Sequence, residues 1–248
     1  MVLEHIFYAD DYTKRVAEAI AENQGLPAAI FRIRNPTFSR WGSWLSSCGK
    51  TEVRWAYLPS RSVLIGGNRW RHHFALHLTD LPTVSIDAHT DMSFDEMIFL
   101  KLVRPYNWLY FRLLGGCDVH LVLPYDDFKW KRWDIAVPED WIDRFHLYAF
   151  DRRRFKARVS LSFSRSSVIE VEDPETSPLL PEINKQISLD WDVTREISED
   201  RVERLVADIA REGDVCDIWL DEGRRGKRRT LRDDVESCSR ICQILSSL

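Results

Sequence analysis

Short runs of apolar and β-branched residues alternate along this sequence with segments of helical periodicity. Buried strands are predicted at AAIFRI (28–33), SVLIGG (62–67), PTVSI (82–86) and VHLVLP (119–124). Residues 12–25 instead repeat apolar positions at helical spacing and end at a glycine. Such alternation is typical of a parallel sheet covered by helices on both faces. The sequence therefore predicts the α/β class, as a three-layer α-β-α sandwich with a mainly parallel sheet.

The most regular helical pattern lies in ISEDRVERLVADIAREGD (197–214). Ser198 is the predicted N-cap, and the acidic residues after it suit the positive first turn of a helix. Gly213 is the predicted end of the helix. Because apolar runs precede and follow this segment, it predicts a strand–helix–strand unit.

No internal repeat, low-complexity tract or sharp change of composition divides the chain. We therefore expect one α/β domain over residues 1–248. The stretch 151–181 mixes basic, β-like and acidic proline-bearing segments, which predicts an insertion or an edge hairpin.

Composition excludes several functional classes. The chain is 44% hydrophobic and contains 10 Trp, 12 Phe and 7 Tyr, which is enough to build a large core. Its 35 basic and 39 acidic residues give a net charge of -4, so neither a nucleic-acid nor a membrane partner is predicted. No secretory leader or membrane-spanning run is evident, and the five cysteines include no CxxC pair. We therefore expect a cytoplasmic protein. Cys238 and Cys242 are predicted to be small core residues, and half of a metal site is the less favoured alternative.

Candidate chemistry begins in the segment TVSIDAHTDM, where a predicted strand ends. In extended backbone, Asp87, His89 and Asp91 project to one side of the chain, so two carboxylates and an imidazole converge. The carboxyl ends of strands are where open α/β sheets bind ligands. A solvated polar loop is the simpler alternative.

A second predicted strand, QISLDWDV, ends in Asp190 and Asp192, again two residues apart. If the two strand ends meet, four carboxylates crowd together and repel one another unless cations neutralise them. Two divalent ions supply four positive charges. Oxygen-rich donors with an imidazole and no thiolate favour manganese, and zinc or iron less strongly.

The two segments together resemble the metal motifs of the ureohydrolases, the family of arginase, agmatinase and formiminoglutamase, with the histone deacetylases as distant relatives. The family patterns DAHxD and SxDxD match DAHTD (87–91) and SLDWD (188–192). The resemblance implies that Asp87 and Asp190 bridge two manganese ions, that Asp91 binds the first ion, and that His89 and Asp192 bind the second.

The sixth ligand of the family is a histidine in a GGDHS motif. Here the chain has Gly66 and Gly67, but Arg69 stands where that histidine is expected. HHFALHL (72–78) resembles a segment of a divergent branch that converts arginine to ornithine within peptides. This resemblance implies His72 as the ligand and His73 as its neighbour, with helix capping or support of a ligand as the alternative for either.

Three further residues are candidates for catalytic roles. The proton-shuttle histidine of the family has no match between Asp91 and Cys117, which leaves His120, although such a histidine is more often simply packed. Asp221 and Glu222 end a late predicted strand, where the family places a carboxylate near the substrate guanidinium. Solvation of a turn is the alternative for both.

The resemblance implies a hydrolase in which a metal-activated hydroxide attacks a guanidino carbon and releases urea. The expected substrate is a small molecule or a peptide with a guanidino or related group, and a homo-oligomer is compatible with the family. Two alternatives stay open: an amide hydrolase of the deacetylase type, and a non-catalytic or single-metal binding protein that retains the fold.

Overall fold

The structure is a computed structural model. It describes residues 3–24, 29–33, 58–59, 62–67, 71–93, 103, 106–124, 135–150, 155–161, 165–220 and 230–248.

A single ten-stranded sheet organises the described residues, and its order is β2-β1-β3-β10-β9-β4-β5-β6-β8-β7. The strands are β1 His5–Tyr8, β2 Ala29–Arg32, β3 Ser62–Gly67, β4 Thr83–Ile86, β5 Val119–Leu123, β6 Phe145–Ala149, β7 Phe155–Ser160, β8 Ser166–Glu172, β9 Gln186–Asp190 and β10 Val215–Leu220. All neighbours in this order pair in parallel except β7 and β8, which are antiparallel. This pair lies at one end of the sheet, within the stretch 151–181. The predicted α/β class with a mainly parallel sheet is confirmed.

Five α-helices flank the sheet in the described part of the chain. They are α1 Asp11–Gln24, α2 Arg71–Phe74, α3 Trp108–Leu114, α4 Glu199–Ile209 and α5 Leu231–Ser247. Single 3₁₀ segments follow at Ala75–His77, Glu139–Arg144 and Trp191–Arg195. None of these helices has the length and apolar character needed to cross a bilayer.

Alternate residues of the central strands enter two separate cores, because side chains in a strand point to opposite faces. On one face Val84 and Ile86 pack with apolar residues of α1, α4 and α5. On the other face Leu64 and Trp219 pack with residues of α2 and α3. The sheet thus forms the middle of three layers, and Ser85 and Asp87 project towards the layer of α2 and α3.

Some helix ends and one strand differ from the sequence predictions, because packing or turn geometry determines them. Ser198 is at the N-cap of α4, but its side chain makes no capping hydrogen bond. The helix ends at Ile209, so the predicted end at Gly213 is wrong by one turn; Gly213 instead takes φ 98° in the turn that leads to β10. Strand β1 is absent from the sequence predictions, since its HIFY sequence is only four residues long and is followed by the acidic residues Asp10 and Asp11. Cys238 and Cys242 are fully buried core residues, as predicted.

Candidate metal centre

The two acidic motifs meet because β4 and β9 are neighbours in the sheet, although about a hundred residues separate them in the chain. Ile86 pairs with Leu189, so Asp87 and Asp190 follow side by side at the carboxyl edge of the sheet. Asp87 is fully buried, Asp190 is 2% exposed and Asp192 is 4% exposed. Carboxylates at this depth need charged or hydrogen-bonding partners.

One half of the site consists of three potential metal donors. Asp87, His89 and Asp192 each offer one ligand atom, and the three atoms lie within 4.8 Å of one another. His89 Nδ1 is 3.0 Å from Asp192 Oδ2 and 3.5 Å from Asp87 Oδ1. The His89 backbone N–H also donates to Asp87 Oδ1 at 2.7 Å. Because the His89 side chain is 65% exposed, this half of the site faces solvent.

The other half of the site contains a buried guanidinium. Arg71 begins α2, after β3, and is 2% exposed. Its Nη1 donates to Asp87 Oδ2 through a very short hydrogen bond and to Asp190 Oδ2 at 3.2 Å, and it lies 3.6 Å from Asp91 Oδ2. A single nitrogen therefore lies among oxygens of three aspartates. Asp87 joins the two halves, since one of its oxygens contacts Arg71 and the other contacts His89.

The far side of the Arg71 guanidinium is held by β4 and β9. Nη2 donates to Ser85 Oγ at 2.8 Å and to the carbonyl oxygen of Ser188 at 3.2 Å. Ser188 Oγ accepts from Nε at 3.3 Å and donates to Asp217 Oδ2 at 2.6 Å. The Trp108 ring covers the guanidinium, whose central carbon lies 5.1 Å from the ring centroid. These contacts leave the guanidinium one orientation in the site.

Asp91 takes an unusual backbone conformation, with φ 49° in the left-handed region. Its Oδ2 accepts a hydrogen bond of 2.5 Å from the Trp108 indole, and its carbonyl oxygen accepts one from the Leu109 amide. The turn after DAHT is therefore tied to the start of α3. These bonds direct the Asp91 carboxylate towards Arg71.

Gly66 is required by the packing behind the site. A Cβ at this position would lie 2.2 Å from Cζ3 of Trp219, which crosses β3 from the neighbouring β10. The Trp219 indole in turn donates to Asp217, the carboxylate that holds Ser188. The glycine thus allows the close approach of Trp219 and indirectly positions Arg71.

Electrostatics in the site are dominated by burial and by crowding of the acids. Burial raises the pKa of Asp190 and of Asp91, and the nearby Asp87 raises both further. Burial also opposes ionisation of Asp87, but Arg71 and His89 outweigh it, so the pKa of Asp87 is lowered. Hydrogen bonds to Asp192 and Asp87 raise the pKa of His89 to about 11. The positive charge of Arg71 and His89 does not fully offset the negative charge of the crowded carboxylates.

The donor chemistry fits one divalent cation. Two carboxylate oxygens and an imidazole nitrogen are ligands that manganese, zinc and iron accept, and the exposed side of His89 leaves room for water and substrate. A second cation among Asp87 Oδ2, Asp91 Oδ2 and Asp190 Oδ2 would have to occupy the place of Arg71 Nη1. The arrangement can bind a cation and a substrate at the edge that His89 exposes.

The remaining candidates from the sequence lie elsewhere or outside the described residues. The backbone of α2 includes His72 and His73, but their side chains are outside the described part, as are Asp221 and Glu222. His120 pairs in register with Val84, so it faces the opposite core from Asp87. There its Nδ1 is 3.2 Å from Tyr148 Oη, and its ring stacks on that of His146 at 4.5 Å.

Sequence reasoning did not select Arg71, Ser85, Ser188, Trp108 or Asp217. Arg71 is one of several basic residues after Gly67, and nothing in its local pattern distinguishes it from Arg69. The available signal was polarity inside apolar strands, because Ser85, Ser188 and Asp217 interrupt mainly apolar runs. Such residues are hydrogen-bonded when buried, and here they are bonded to one another or to Arg71.

Comparison with known proteins rests on structure alone. No protein-family model matches the chain, and no curated protein matches it in sequence. Arginase from Helicobacter pylori superposes with a TM-score of 0.52 at 10% identity, over 99% of this chain and 100% of the arginase. Arginase from Bacillus subtilis gives a TM-score of 0.50 at 12% identity, over 98% of each chain. Together with the ten-stranded, mostly parallel sheet and its flanking helices, these similarities show that the chain has an arginase-like α/β fold.

Proposed function

We propose that this chain is a metal-dependent hydrolase that cleaves a C–N bond. The observation that carries the proposal is the group of Asp87, His89 and Asp192, which places three donor atoms within 4.8 Å at the carboxyl edge of the sheet. Ligands of α/β folds bind at this edge. The arginase-like fold supports the hydrolase class.

The residues of the chain have separate tasks in this proposal. Asp87, His89 and Asp192 hold the cation, and the exposure of His89 gives substrate access to it. Asp87 and Asp192 keep their positions through backbone amides, since the amides of His89 and Ala88 donate to them. When bound, a divalent cation supplies Lewis acidity and lowers the pKa of water towards neutrality. Manganese is the first candidate, with zinc and iron as alternatives.

A guanidino compound is the first substrate class to test. The sequence motifs support it, as does the likeness to two proteins named arginase. Hydrolysis adds water across the bond between the guanidino carbon and the substituted nitrogen, so urea and an amine leave. Asp221 and Glu222 remain the proposed partners of the substrate guanidinium. His120 is not used here, because its side chain lies on the other face of the sheet.

An amide substrate is the second candidate. The Arg71 contacts favour it, because Arg71 occupies the place that a second cation would need. The Asp–His–Asp donor set is sufficient to hold one cation, and one cation is enough to promote attack on an amide carbonyl. Water then adds across the C–N bond, and a carboxylic acid and an amine are released. The His72 and His73 imidazoles are proposed to assist either reaction, as ligands or as neighbours of ligands.

The test is a product screen on the full chain loaded with manganese or with zinc. Urea release is measured with free arginine, agmatine and arginine-containing peptides, and acid release with acylated amines. We expect turnover of one class, and loss of at least a hundredfold in Asp192→Asn, since this change weakens the donor group. Asp208→Asn, at an exposed position on α4, is the matched control and retains activity.

A metal-loaded chain that turns over neither class, or an Asp192→Asn protein as active as the control, contradicts the proposal. Binding without turnover of the same compounds favours the binding-protein alternative.

A further inference from the structure

The Arg71 guanidinium is at the centre of the acidic cluster and not at its rim. Nη1 contacts Asp87 Oδ2 and Asp190 Oδ2 and lies 3.6 Å from Asp91 Oδ2. The His89 side of the cluster uses other oxygens, namely Asp87 Oδ1 and Asp192 Oδ2. The four aspartates therefore surround two separate places for positive charge, and a protein group already lies in one of them.

We propose that the Arg71 guanidinium permanently takes the place of one divalent cation, so that this site holds a single metal ion beside a fixed organic cation. The proposal rests on the proposed function and deepens it, because it specifies the number of ions in the same site.

Charge balance supports one ion over two. The four aspartates carry four formal negative charges, Arg71 carries one positive charge, and a divalent ion at Asp87, His89 and Asp192 adds two. The sum leaves one negative charge in a site open to solvent at His89. A second divalent ion would add two more positive charges next to a buried guanidinium, which like-charge repulsion opposes.

Contacts with neighbouring strands and helices fix the position of the Arg71 guanidinium. The position is therefore a property of the fold and not of one flexible side-chain conformation. Ser85 and Ser188 accept from the guanidinium on the side away from the aspartates, and Asp217 fixes the Ser188 hydroxyl. Trp108 covers the guanidinium and also binds Asp91. Expelling Arg71 to admit a metal would leave these buried polar groups without their partner.

The experiment counts manganese ions per chain after loading with Mn²⁺ and removal of the excess. Elemental mass spectrometry gives the number, and electron paramagnetic resonance distinguishes an isolated Mn²⁺ from an exchange-coupled pair. We expect one isolated ion in the wild type and two coupled ions in Arg71→Ala, because that change frees three carboxylate oxygens. Arg71→His is a second variant with the same expectation, since imidazole is itself a metal ligand.

The matched control is Arg112→Ala. Arg112 is fully buried and donates to backbone carbonyls of the same layer, so its loss disturbs folding without opening the acidic cluster. We expect one ion in this variant. Two ions in the wild type, or one ion in both Arg71 variants, would overturn the proposal.

The ion count also separates this proposal from the proposed function. One ion per wild-type chain and two in the Arg71 variants, without any turnover, supports the role of Arg71 and rejects the hydrolase. No ion in the wild type, even with one in Arg71→Ala, overturns the single-ion site and also rejects metal-dependent catalysis. No ion in any of the proteins overturns both.

Discussion

Two buried arginines contact the same face of β4, two residues apart, and differ in what surrounds them. Arg112 of α3 donates to Thr83 Oγ1 at 2.7 Å and to the carbonyl oxygens of Leu76, Thr79 and Leu81. Arg71 donates to Ser85 Oγ at 2.8 Å and to carboxylates. Burial lowers the pKa of Arg112, whereas the aspartates outweigh burial and raise that of Arg71.

The comparison shows how position along one strand separates structure from chemistry. At the amino end of β4, Arg112 satisfies carbonyl groups of the chain that leads into the strand, so it closes a loop. At the carboxyl end, the chain leaves the sheet and its acidic side chains come together. A guanidinium at this end therefore becomes part of a charged site. Burial alone does not distinguish the two, since the exposed fractions are 2% for Arg71 and 0% for Arg112.

The largest expected effect comes from removing the charge of Arg71, the arginine that contacts the aspartates. Arg71→Met removes the buried cation but keeps a similar volume, so the aspartates lose their compensation. We expect the free energy of unfolding to fall by about 3–5 kcal/mol in metal-free protein, as for a buried ion pair that loses one partner. Urea denaturation with and without Mn²⁺ measures it. Mn²⁺ should stabilise this variant more than the wild type, by about 2.7 kcal/mol for an additional site at a hundred times its Kd.

Arg112→Met should have the next largest effect and a different character. It leaves buried carbonyl groups without a donor, which predicts a loss of roughly 2–3 kcal/mol. The same denaturation experiment should show that Mn²⁺ stabilises this variant only as much as the wild type. A larger Mn²⁺ response in Arg112→Met than in Arg71→Met would contradict the distinction between the two arginines.

Ser188→Ala tests whether Arg71 is positioned by its partners. The hydroxyl donates to Asp217 and accepts from Arg71, and both groups are buried. We expect a loss of about 1.5 kcal/mol in thermal or urea unfolding, with the ion count still at one. Ser85→Ala is the control: it removes one acceptor of Arg71 and leaves Asp217 bonded to its donors, so it should cost less.

The smallest expected effect concerns the face of the sheet opposite the arginines. Burial lowers the pKa of His120 to about 3, so the folded chain binds fewer protons than the unfolded chain below pH 6.5. The free energy of unfolding should therefore fall as pH falls, by about 1 kcal/mol between pH 6.5 and 5.5 from this residue. In chemical denaturation of His120→Gln, the decrease in the free energy of unfolding over this pH range should be smaller by that amount. An unchanged pH dependence would indicate that His120 is not held neutral in the fold.

Much of the architecture follows from local pattern. Apolar runs such as VHLVLP and SVLIGG have few alternatives to a buried strand, and α4 shows a complete amphipathic stripe. Boundaries were less predictable: α4 stops at Ile209, although its sequence continues with helix-compatible residues to Gly213. The end of this helix depends on where the chain must turn to enter β10.

The candidate site divides in the same way. Asp87, His89 and Asp192 were predictable because residues at alternate positions after a strand point to one side, and both strands carry the pattern. Arg71 was not predictable, since it approaches from the end of β3, and β10 and β9 lie between β3 and β4 in the sheet. No local pattern encodes a contact that depends on the order of four strands.

By itself, the sequence determined the class of the fold, the two acidic motifs and the edge of the sheet at which they lie. Periodicity and residue chemistry act over a few neighbouring residues, and these features need no more than that. The tertiary structure alone decided which cation already lies among the aspartates, and it placed His120 on the opposite face. Both outcomes depend on how distant segments pack, because a buried charge is stabilised by whichever groups the fold brings within a few ångströms of it.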